Sequence, residues 1–378
     1  MKKIVITSTV GLIYDGITNV IVSYLEAMDL QDLDIYIVAT IKAEPTIIEK
    51  LEKLGCHIVH LPSRREDTLK YFLRLISFIK KNKIEVIHAH GNSATLAIEM
   101  VAGWIGGCKK RIAHSHNTRC NQVKADKLLR PVFNCCYTDA LACGVNAGKW
   151  LFKNRKFTVL QNGRNVEKYV YNEQIRNKLR TQYNIHKELV IGHVGGFFEQ
   201  KNHKFLLMIL HEILKIEPQA HFFLIGDGPL KKKIEYQARD LNEHITFTGT
   251  TDRVTDYLQM MDGMLLPSLF EGLPLVAIEW QINGLPCILS DTITKDCVFM
   301  DNVRFKSLND SAKEWAQNII QMIRDNDRIN SSINAQKKIV QVGFDIKQER
   351  SNCVAYILKM NKMWGLKNEI SWTYMVEK

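Results

Sequence analysis

The sequence predicts an α/β protein made of two Rossmann-like domains, each with a parallel sheet covered by helices on both faces. Short apolar runs alternate with amphipathic segments along most of the chain, and this alternation is typical of parallel sheets. The alternation is interrupted once, in residues 161–187. With 378 residues the chain is long enough for two cores, because a domain usually contains about 100–200 residues.

The predicted elements follow one another in two series. Strands of the first series are predicted at Lys3–Ser8, Asp34–Ala39, His57–His60, Val86–His90, Arg111–Ser115 and Ala140–Cys143. Helices are predicted between them, for example Asn19–Met28, Pro45–Leu54 and Leu69–Asn82. Strands of the second series are predicted at Val190–Gly195, His221–Ile225, Ile245–Thr248, Gly263–Pro267 and Pro286–Ser290.

These series set the domain boundaries. We place the domains at residues 1–165 and 166–345, joined by a linker and a charged helix within residues 161–187. Residues 346–378 show no strand pattern, and we expect them to form a helical segment that packs back on the first domain. Ligands of open α/β sheets bind beyond the carboxyl ends of the strands, so the expected active site is the cleft between the two domains.

Composition indicates a protein of a reducing compartment. Hydrophobic residues make up 46% of the chain and charged residues 24%, which is ordinary for a globular protein. Nine cysteines show neither paired C-x-x-C spacing nor metal-ligand spacing. No segment reaches the roughly 20 apolar residues of a membrane-spanning helix, and the start of the chain resembles a strand more than a signal peptide. We therefore expect a cytoplasmic protein.

The net charge of +11 is concentrated in the first domain. Residues 1–165 contain 24 lysines and arginines against 14 acidic residues, whereas the remaining residues contain 27 against 26. A basic face of this kind suits an anionic membrane surface, where each basic side chain contributes about 1 kcal/mol. A solvated surface is the alternative. Nucleic acid is not expected as a partner, because the sequence contains neither a recognition module nor basic runs interleaved with aromatic residues.

Two carboxylates flank a predicted helix start in the second domain. Glu271 is expected in the loop after a buried strand, and Glu279 about five residues inside the following helix, with Pro274 in its first turn. The free N–H groups at such a helix start attract anions. A diphosphate between two carboxylates that accept from sugar hydroxyls would suit a sugar nucleotide. The alternative is a solvated pair of acids.

Lys201 is predicted in the loop after the first strand of the second domain, beside the loop that carries Glu271. An ammonium group there could neutralise the charge that develops on a departing nucleotide diphosphate. No Asp-x-Asp spacing for a metal accompanies it. A solvated loop lysine is the alternative.

The first domain offers a glycine turn and four histidines. Gly16 follows the first strand and opens a helix, where its backbone could approach a diphosphate. His88 and His90 end one predicted strand, and His114 and His116 end the next. A histidine at this position could contact a sugar hydroxyl or manage a proton. Histidines satisfied within the fold, or a metal site, are the alternatives, and we expect no metal because no carboxylate or thiol completes a ligand set.

Together these segments resemble a known family. The chain is similar to the retaining family 4 glycosyltransferases of the GT-B fold, and most similar to the branch that builds bacterial exopolysaccharide and capsule. The matching segments are Asp15–Thr18, His88–Ser93, Arg111–Thr118, Gln161–Gly163, Ile191–His203, Gly226–Gly228, Pro267–Pro274, Glu279 and Gly284–Pro286. The two carboxylates and the Gln200–His203 segment are the specific features among them.

The resemblance implies transfer from a nucleotide sugar with the anomeric configuration kept and without a metal. Glu271 would contact the donor sugar, Glu279 the ribose hydroxyls and Lys201 the diphosphate. The implied catalytic residues are His116, Lys201 and Glu271. The implied donor-binding residues are Gly16, Gly195, Lys201, Gly272, Leu273, Pro274, Leu275 and Glu279. His116 would take the sugar-facing position, and the leaving diphosphate would accept the proton of the acceptor hydroxyl.

Two positions depart from the family pattern. Gly196 stands where the family usually has an arginine that grips the diphosphate together with the lysine. Arg164 or Arg253 could substitute for it. Residues 162–165 read Asn-Gly-Arg-Asn, where the family commonly has Asn-Gly-Ile/Val-Asp.

The resemblance therefore implies an enzyme that uses a UDP-sugar, at the inner face of the membrane. Its acceptor would be a saccharide, expected to be lipid-linked, in extracellular or capsular polysaccharide synthesis. No cofactor is expected beyond the donor itself. Two alternatives stay open: a catalytically silent homologue that binds a sugar nucleotide or a partner enzyme, suggested by Gly196, and a sugar-nucleotide epimerase of the same two-domain plan.

Overall fold

The computed structural model describes residues 1–40, 43–358 and 373–374. Contacts divide the chain into two units. The first unit contains Met1–Gly163 together with Ile346–Lys378, and the second unit contains Arg164–Asp345. Each unit is built on its own sheet.

The first unit contains a parallel sheet whose strands alternate with helices along the chain. The strands are β1 (Lys2–Ser8), β2 (Leu33–Ala39), β3 (His57–His60), β4 (Val86–Gly91), β5 (Lys110–Ser115), β6 (Asp139–Ala142) and β7 (Phe157–Val159). The helices are α1 (Gly16–Ala27), α2 (Pro45–Lys53), α3 (Thr68–Asn82), α4 (Ala97–Gly106), α5 (Val123–Cys136) and α6 (Val145–Phe152). The strand order is β7-β6-β5-β4-β1-β2-β3, and all of these pairs are parallel.

Local sequence explains how α1 starts beside β1. The carboxylate of Asp15 accepts a hydrogen bond from the Thr18 amide at 2.8 Å, which satisfies one of the free donors at the helix start. The helix then buries an apolar face that includes Ile17, Val20 and Ile21. This arrangement places Gly16 at the carboxyl end of the sheet, as the first residue of α1.

The second unit contains a parallel sheet with strand order β10-β9-β8-β11-β12-β13. Its strands are β8 (Val190–Val194), β9 (His221–Ile225), β10 (Ile245–Gly249), β11 (Gly263–Leu266), β12 (Cys287–Ser290) and β13 (Val303–Lys306). Its helices are α7 (Val166–Tyr169), α8 (Glu173–Gln182), α9 (His203–Ile216), α10 (Lys231–Gln237), α11 (Val254–Met260), α12 (Leu275–Ile282), α13 (Ala312–Asp325) and α14 (Arg328–Gln341). Phe197, Leu206, Phe222, Leu265 and Trp315 belong to one buried cluster between sheet and helices.

The tail returns to the first unit, as predicted. Helix α15 (Ile346–Leu358) contacts α1, and Arg350 donates to the Ala27 carbonyl at 3.3 Å. A short strand, β14 (Thr373–Tyr374), pairs antiparallel with β7, although the tail was expected to be helical throughout. Residues 359–372 and 375–378 lie outside the described residues, so the helical prediction stays a prediction for them.

Strands β7 and β13 were not predicted from the sequence. Strand β7 has only three residues and follows a basic loop, and β13 has partly exposed residues. Neither therefore shows the continuous apolar run that marks a buried parallel strand. None of the described helices combines the length and the apolar character that a membrane-spanning segment needs.

Candidate functional site

The loop between β11 and α12 carries the predicted carboxylates. Helix α12 begins at Leu275, directly after Pro274, and none of the side chains that the structure describes caps its first amides. Glu271 lies in the loop, and Glu279 is the fifth residue of the helix, as the sequence predicted. Gly272 and Leu273 complete the loop before the helix. The start of α12 therefore offers uncapped N–H groups between two acidic residues.

Glu271 and Lys201 are in direct contact within the second unit. The Lys201 ammonium lies 2.6 Å from Glu271 Oε1, and the two side chains are only 17% and 9% exposed. Gln200 donates to Glu271 Oε2 at 3.1 Å and to the Phe270 carbonyl at 2.9 Å. The predicted proximity of the lysine and the acid is confirmed, and their roles in catalysis stay predictions.

Two adjacent glycines, which we call the glycine shelf (Gly195–Gly196), follow β8 beside Lys201. A Cβ atom on Gly195 would lie 3.0 Å from Lys201 Cε, so the lysine stem rests on this residue. A Cβ atom on Gly196 would lie 2.7 Å from a ring carbon of Phe198. Phe198, which is half-exposed, thus occupies the space that the side chain of an arginine at position 196 would need.

A second glycine turn packs on the same shelf. Gly226 has a φ of +138°, and a Cβ atom there would lie 2.2 Å from the Gly195 carbonyl oxygen. Phe197 donates its amide to the Asp227 carbonyl at 3.0 Å. The glycine at position 226 is thus required by backbone-to-backbone packing, since no side chain could fit there.

Glu279 is almost fully buried and is held by two partners of the second unit. Its Oε1 lies 3.1 Å from Arg164 Nε and accepts from the Tyr169 hydroxyl at 3.0 Å. Burial raises the pKa of Glu279, while Arg164 and Tyr169 oppose that rise. This contact was not predicted from the sequence, because Arg164 and Glu279 are far apart in the chain.

Both arginines suggested as substitutes for the missing cation are engaged elsewhere in the second unit. Arg164 is buried against Glu279. Arg253 is exposed and lies 2.9 Å from Asp256. In the described structure the ammonium beside the glycine shelf is that of Lys201.

In the first unit, the four predicted histidines come together on one face of the sheet. His90 on β4 lies opposite His114 on β5, and the alternation along each strand brings His88 and His116 to the same face. His88 Nε2 lies 3.2 Å from His114 Nδ1, and His90 Nδ1 lies 2.8 Å from His116 Nε2. Three rings are buried and that of His116 is half-buried.

These histidines are held neutral. Burial lowers the pKa of His88 and of His116 to about 3, and lowers the pKa values of His90 and His114 well below their ordinary range. Among the described residues, ligand nitrogens of His88, His90 and His114 lie within 4.8 Å of one another, a spacing that could accept a metal ion. The expectation of a metal-free site stays a prediction.

Gly16 is open towards its surroundings. A Cβ atom on it would meet nothing within 4 Å among the described residues, so a ligand could approach the backbone. The neighbouring Asp15 has its pKa raised by burial to about 6. The role of Gly16 in binding a diphosphate stays a prediction.

Comparison with known proteins decides the family. The profile of the glycosyl transferases group 1 matches residues 188–325, which include Lys201, Glu271 and Glu279. The chain is 32% identical over 317 residues to EpsF of Bacillus subtilis, a protein named as a glycosyltransferase, and the match covers 79% of this chain and 82% of EpsF. The chain belongs to the group 1 glycosyltransferases. This glycosyltransferase is also 26% identical over 253 residues to an Escherichia coli α-1,3-galactosyltransferase that acts on GlcNAc-diphosphoundecaprenol with UDP-Gal, covering 61% of this chain and 64% of that one.

Solved structures show the fold of this glycosyltransferase. Anabaena HepE in complex with UDP-glucose superimposes with a TM-score of 0.75 at 15% identity, over 95% of this chain and 100% of HepE. WaaG, a glycosyltransferase of lipopolysaccharide biosynthesis, superimposes with a TM-score of 0.71 at 12% identity, over 94% and 99% of the two chains. The predicted GT-B fold and the predicted family are both confirmed.

Proposed function

We propose that this glycosyltransferase moves a sugar from a UDP-sugar to a saccharide acceptor with retention of the anomeric configuration. The observation that carries this proposal is the contact between Lys201 and Glu271 beside the uncapped start of α12. The lysine is the cation for a diphosphate, and the acid is an acceptor for sugar hydroxyls. HepE binds UDP-glucose and the E. coli relative uses UDP-Gal, which supports uridine as the base.

In the proposed reaction the bond between the anomeric carbon and the diphosphate oxygen breaks. The acceptor oxygen bonds to the same carbon on the same face, and its proton passes to the leaving diphosphate. Lys201 and the amides of residues 273–275 stabilise the negative charge that develops on that diphosphate. These groups supply the charge stabilisation that a metal supplies in other transferases, so we propose that catalysis is metal-independent.

Binding of the donor diphosphate to Lys201 requires that the ion pair between Lys201 and Glu271 is broken. With Glu271 Oε1 at 2.6 Å, the ammonium of Lys201 is already neutralised in the free enzyme. A diphosphate can replace the carboxylate at the lysine, and the released carboxylate can then accept from the donor sugar. In this exchange Lys201 and Glu271 each have a partner both before and after the donor binds. Neither of these largely buried groups is therefore left as an uncompensated charge.

We propose that the acceptor is lipid-linked. We also propose that the first unit docks on the anionic surface of the inner face of the membrane. Helices α3, α4 and α5 contact one another in turn, and they expose Leu73, Trp104 and Leu128 by 56%, 64% and 78%. Exposed basic residues accompany them, namely Lys70, Arg74, Lys109, Lys124 and Lys127. Apolar residues among lysines suit anionic headgroups above acyl chains. Nucleic acid would leave the apolar residues without partners. We propose the synthesis of an extracellular or capsular polysaccharide as the setting.

The test is release of UDP by the full-length protein. UDP-glucose, UDP-galactose and UDP-N-acetylglucosamine are each supplied with and without a polyprenyl-diphosphate-linked sugar. We expect UDP release and a new glycosidic product that depend on the acceptor, with the anomeric configuration of the donor. Isomerised donor without acceptor would instead indicate an epimerase, and an inverted product would contradict retention.

One observation favours a second candidate, a catalytically silent subunit that binds nucleotide sugars. The shelf residue Gly196 is covered by Phe198 and carries no cation. Under this alternative the wild type shows UDP-dependent thermal stabilisation but no turnover with any donor. The double variant Gly196→Arg with Phe198→Ser, which makes room for the guanidinium, would then gain activity. Turnover by the wild type rules this candidate out.

A further inference from the structure

The four histidines of the first unit form two hydrogen-bonded pairs. The inner pair is His90 with His116, joined between Nδ1 and Nε2 at 2.8 Å. The outer pair is His88 with His114, joined between Nε2 and Nδ1 at 3.2 Å. The pairs pack against each other, with ring centroids 4.1 Å apart for His88 and His90 and 4.2 Å apart for His114 and His116, and with the rings tilted by 33° and 31°. Each ring thus contacts one hydrogen-bonded neighbour and one neighbour packed against it.

Catalytic histidines are usually oriented by a carboxylate or a backbone carbonyl. The partner of His116 is instead a second imidazole. Burial lowers the pKa of His88, and Lys110 helps to lower it. A neutral imidazole has one donor and one acceptor nitrogen, so the partner of each ring decides which nitrogen carries the proton.

The outer pair shows how this choice is made. His114 Nε2 is buried and has no hydrogen-bond partner in the described part of the chain. A buried N–H without an acceptor is unfavourable, so that nitrogen carries the lone pair. The proton of His114 is then on Nδ1 and is donated to His88 Nε2. The outer pair therefore has one preferred tautomer and supports the inner pair by packing against it.

The geometry points to His90 as a positioning residue: its Nδ1 holds His116 Nε2 at 2.8 Å, which fixes the orientation of the His116 ring and leaves the Nδ1 edge of that ring for a ligand. This inference rests on the proposed function and on the family resemblance, which implies that His116 is the sugar-facing residue. His90 itself does not touch substrate. Since His116 is half-buried and the other three rings are buried, it is the member of the group that a ligand can reach.

Amide side chains test this assignment, because asparagine places its amide near the Nδ1 position of histidine and glutamine near the Nε2 position. His90→Asn should keep the inner bond, whereas His90→Gln and His90→Leu should lose it. We expect His90→Asn to retain kcat within about threefold and the other two variants to lose about tenfold in kcat, with little change in KM for the donor. Equal losses in all three variants would overturn the inference.

The outer pair supplies the matched control, with the amide preference reversed. His88 bonds through Nε2, so His88→Gln should be tolerated better than His88→Asn. Both should change the melting temperature more than kcat. A His88 variant that lowers kcat as much as His90→Gln, at an unchanged melting temperature, would contradict the separate roles of the two pairs.

A measurement without turnover keeps the inference testable if the transferase activity fails. Nitrogen NMR of ligand-free protein at neutral pH should show one tautomer of His116 in the wild type and in His90→Asn, and a mixture in His90→Leu. An unchanged tautomer in His90→Leu would overturn the inference. So would stoichiometric binding of Zn²⁺ by the wild type that His90→Gln abolishes, because the histidines would then be metal ligands. If the wild type is inactive but shows the expected tautomers, only the proposed function is contradicted.

Discussion

The two units stabilise their candidate functional side chains in opposite ways. In the second unit, Lys201 and Glu271 are charged and neutralise each other at 2.6 Å. In the first unit, four histidines are neutral, and they satisfy one another by hydrogen bonds. The comparison shows that a buried functional group needs a partner of matching chemistry: an opposite charge for an ion, and a lone pair for a neutral donor.

The strongest test of the charged pair is Lys201→Ala. Removing the ammonium takes away the cation for the leaving diphosphate, and we expect kcat to fall by about 100-fold or more. Turnover of UDP-sugar at saturating donor measures the effect. Lys204→Ala is the matched control, because Lys204 is an exposed lysine three residues away on α9. Undiminished turnover in Lys201→Ala would place the diphosphate elsewhere.

Glu271→Gln should separate binding from turnover. Without the carboxylate, the buried ammonium of Lys201 lacks its partner, so an anion that binds there gains affinity. We expect the Kd for UDP, measured by calorimetry, to fall by about tenfold while turnover also falls. Inorganic pyrophosphate should restore much of the melting temperature that this variant loses. Weaker binding of UDP would show that the carboxylate and the nucleotide do not compete.

The buried histidines predict that the free energy of unfolding falls at acidic pH. Because burial lowers the pKa of His88 to about 3, the folded state favours its neutral form. This stability is complete above the ordinary pKa of about 6.5 and is lost as the pH falls towards 3. Urea unfolding between pH 7 and pH 4 should therefore show a smaller pH slope in His88→Gln, by at most about 1.4 kcal/mol per pH unit. The raised pKa of Asp15 acts in the opposite sense, but it contributes equally to both proteins and cancels in the difference.

The smallest expected effect concerns the exposed face of α3, α4 and α5. Replacing Leu73 and Leu128 together by glutamate should reduce co-sedimentation with phosphatidylglycerol vesicles several-fold, with no effect on UDP binding. Met208→Glu, at a half-exposed apolar residue of α9 in the second unit, is the control. Equal binding of the double variant and the control would contradict docking through this face.

Contacts between neighbouring strand ends could be predicted from the sequence. Lys201 and Glu271 follow β8 and β11, which are adjacent parallel strands, so their loops meet at one edge of the sheet. The four histidines were grouped for the same reason, from their spacing on β4 and β5. In both cases the order of strands and loops is enough to bring the residues together.

Contacts that depend on side-chain packing could not be predicted. Arg164 and Glu279 are 115 positions apart, and no local pattern indicates that one neutralises the other in the interior. The same holds for Phe198, whose ring covers Gly196 because the loop between β8 and α9 turns tightly there. Such details depend on how loops fold over the sheet, whereas strand order depends on hydrophobic pattern.

The imidazole pairs also have an evolutionary consequence. Losing one ring of a pair leaves its neighbour with an unsatisfied nitrogen in the interior, so a single replacement is costlier than a double one. Sequences that diverge from this one should therefore exchange positions 90 and 116 together, and positions 88 and 114 together. Such covariation between neighbouring strands would reflect a hydrogen bond between the two side chains rather than the space that they fill together.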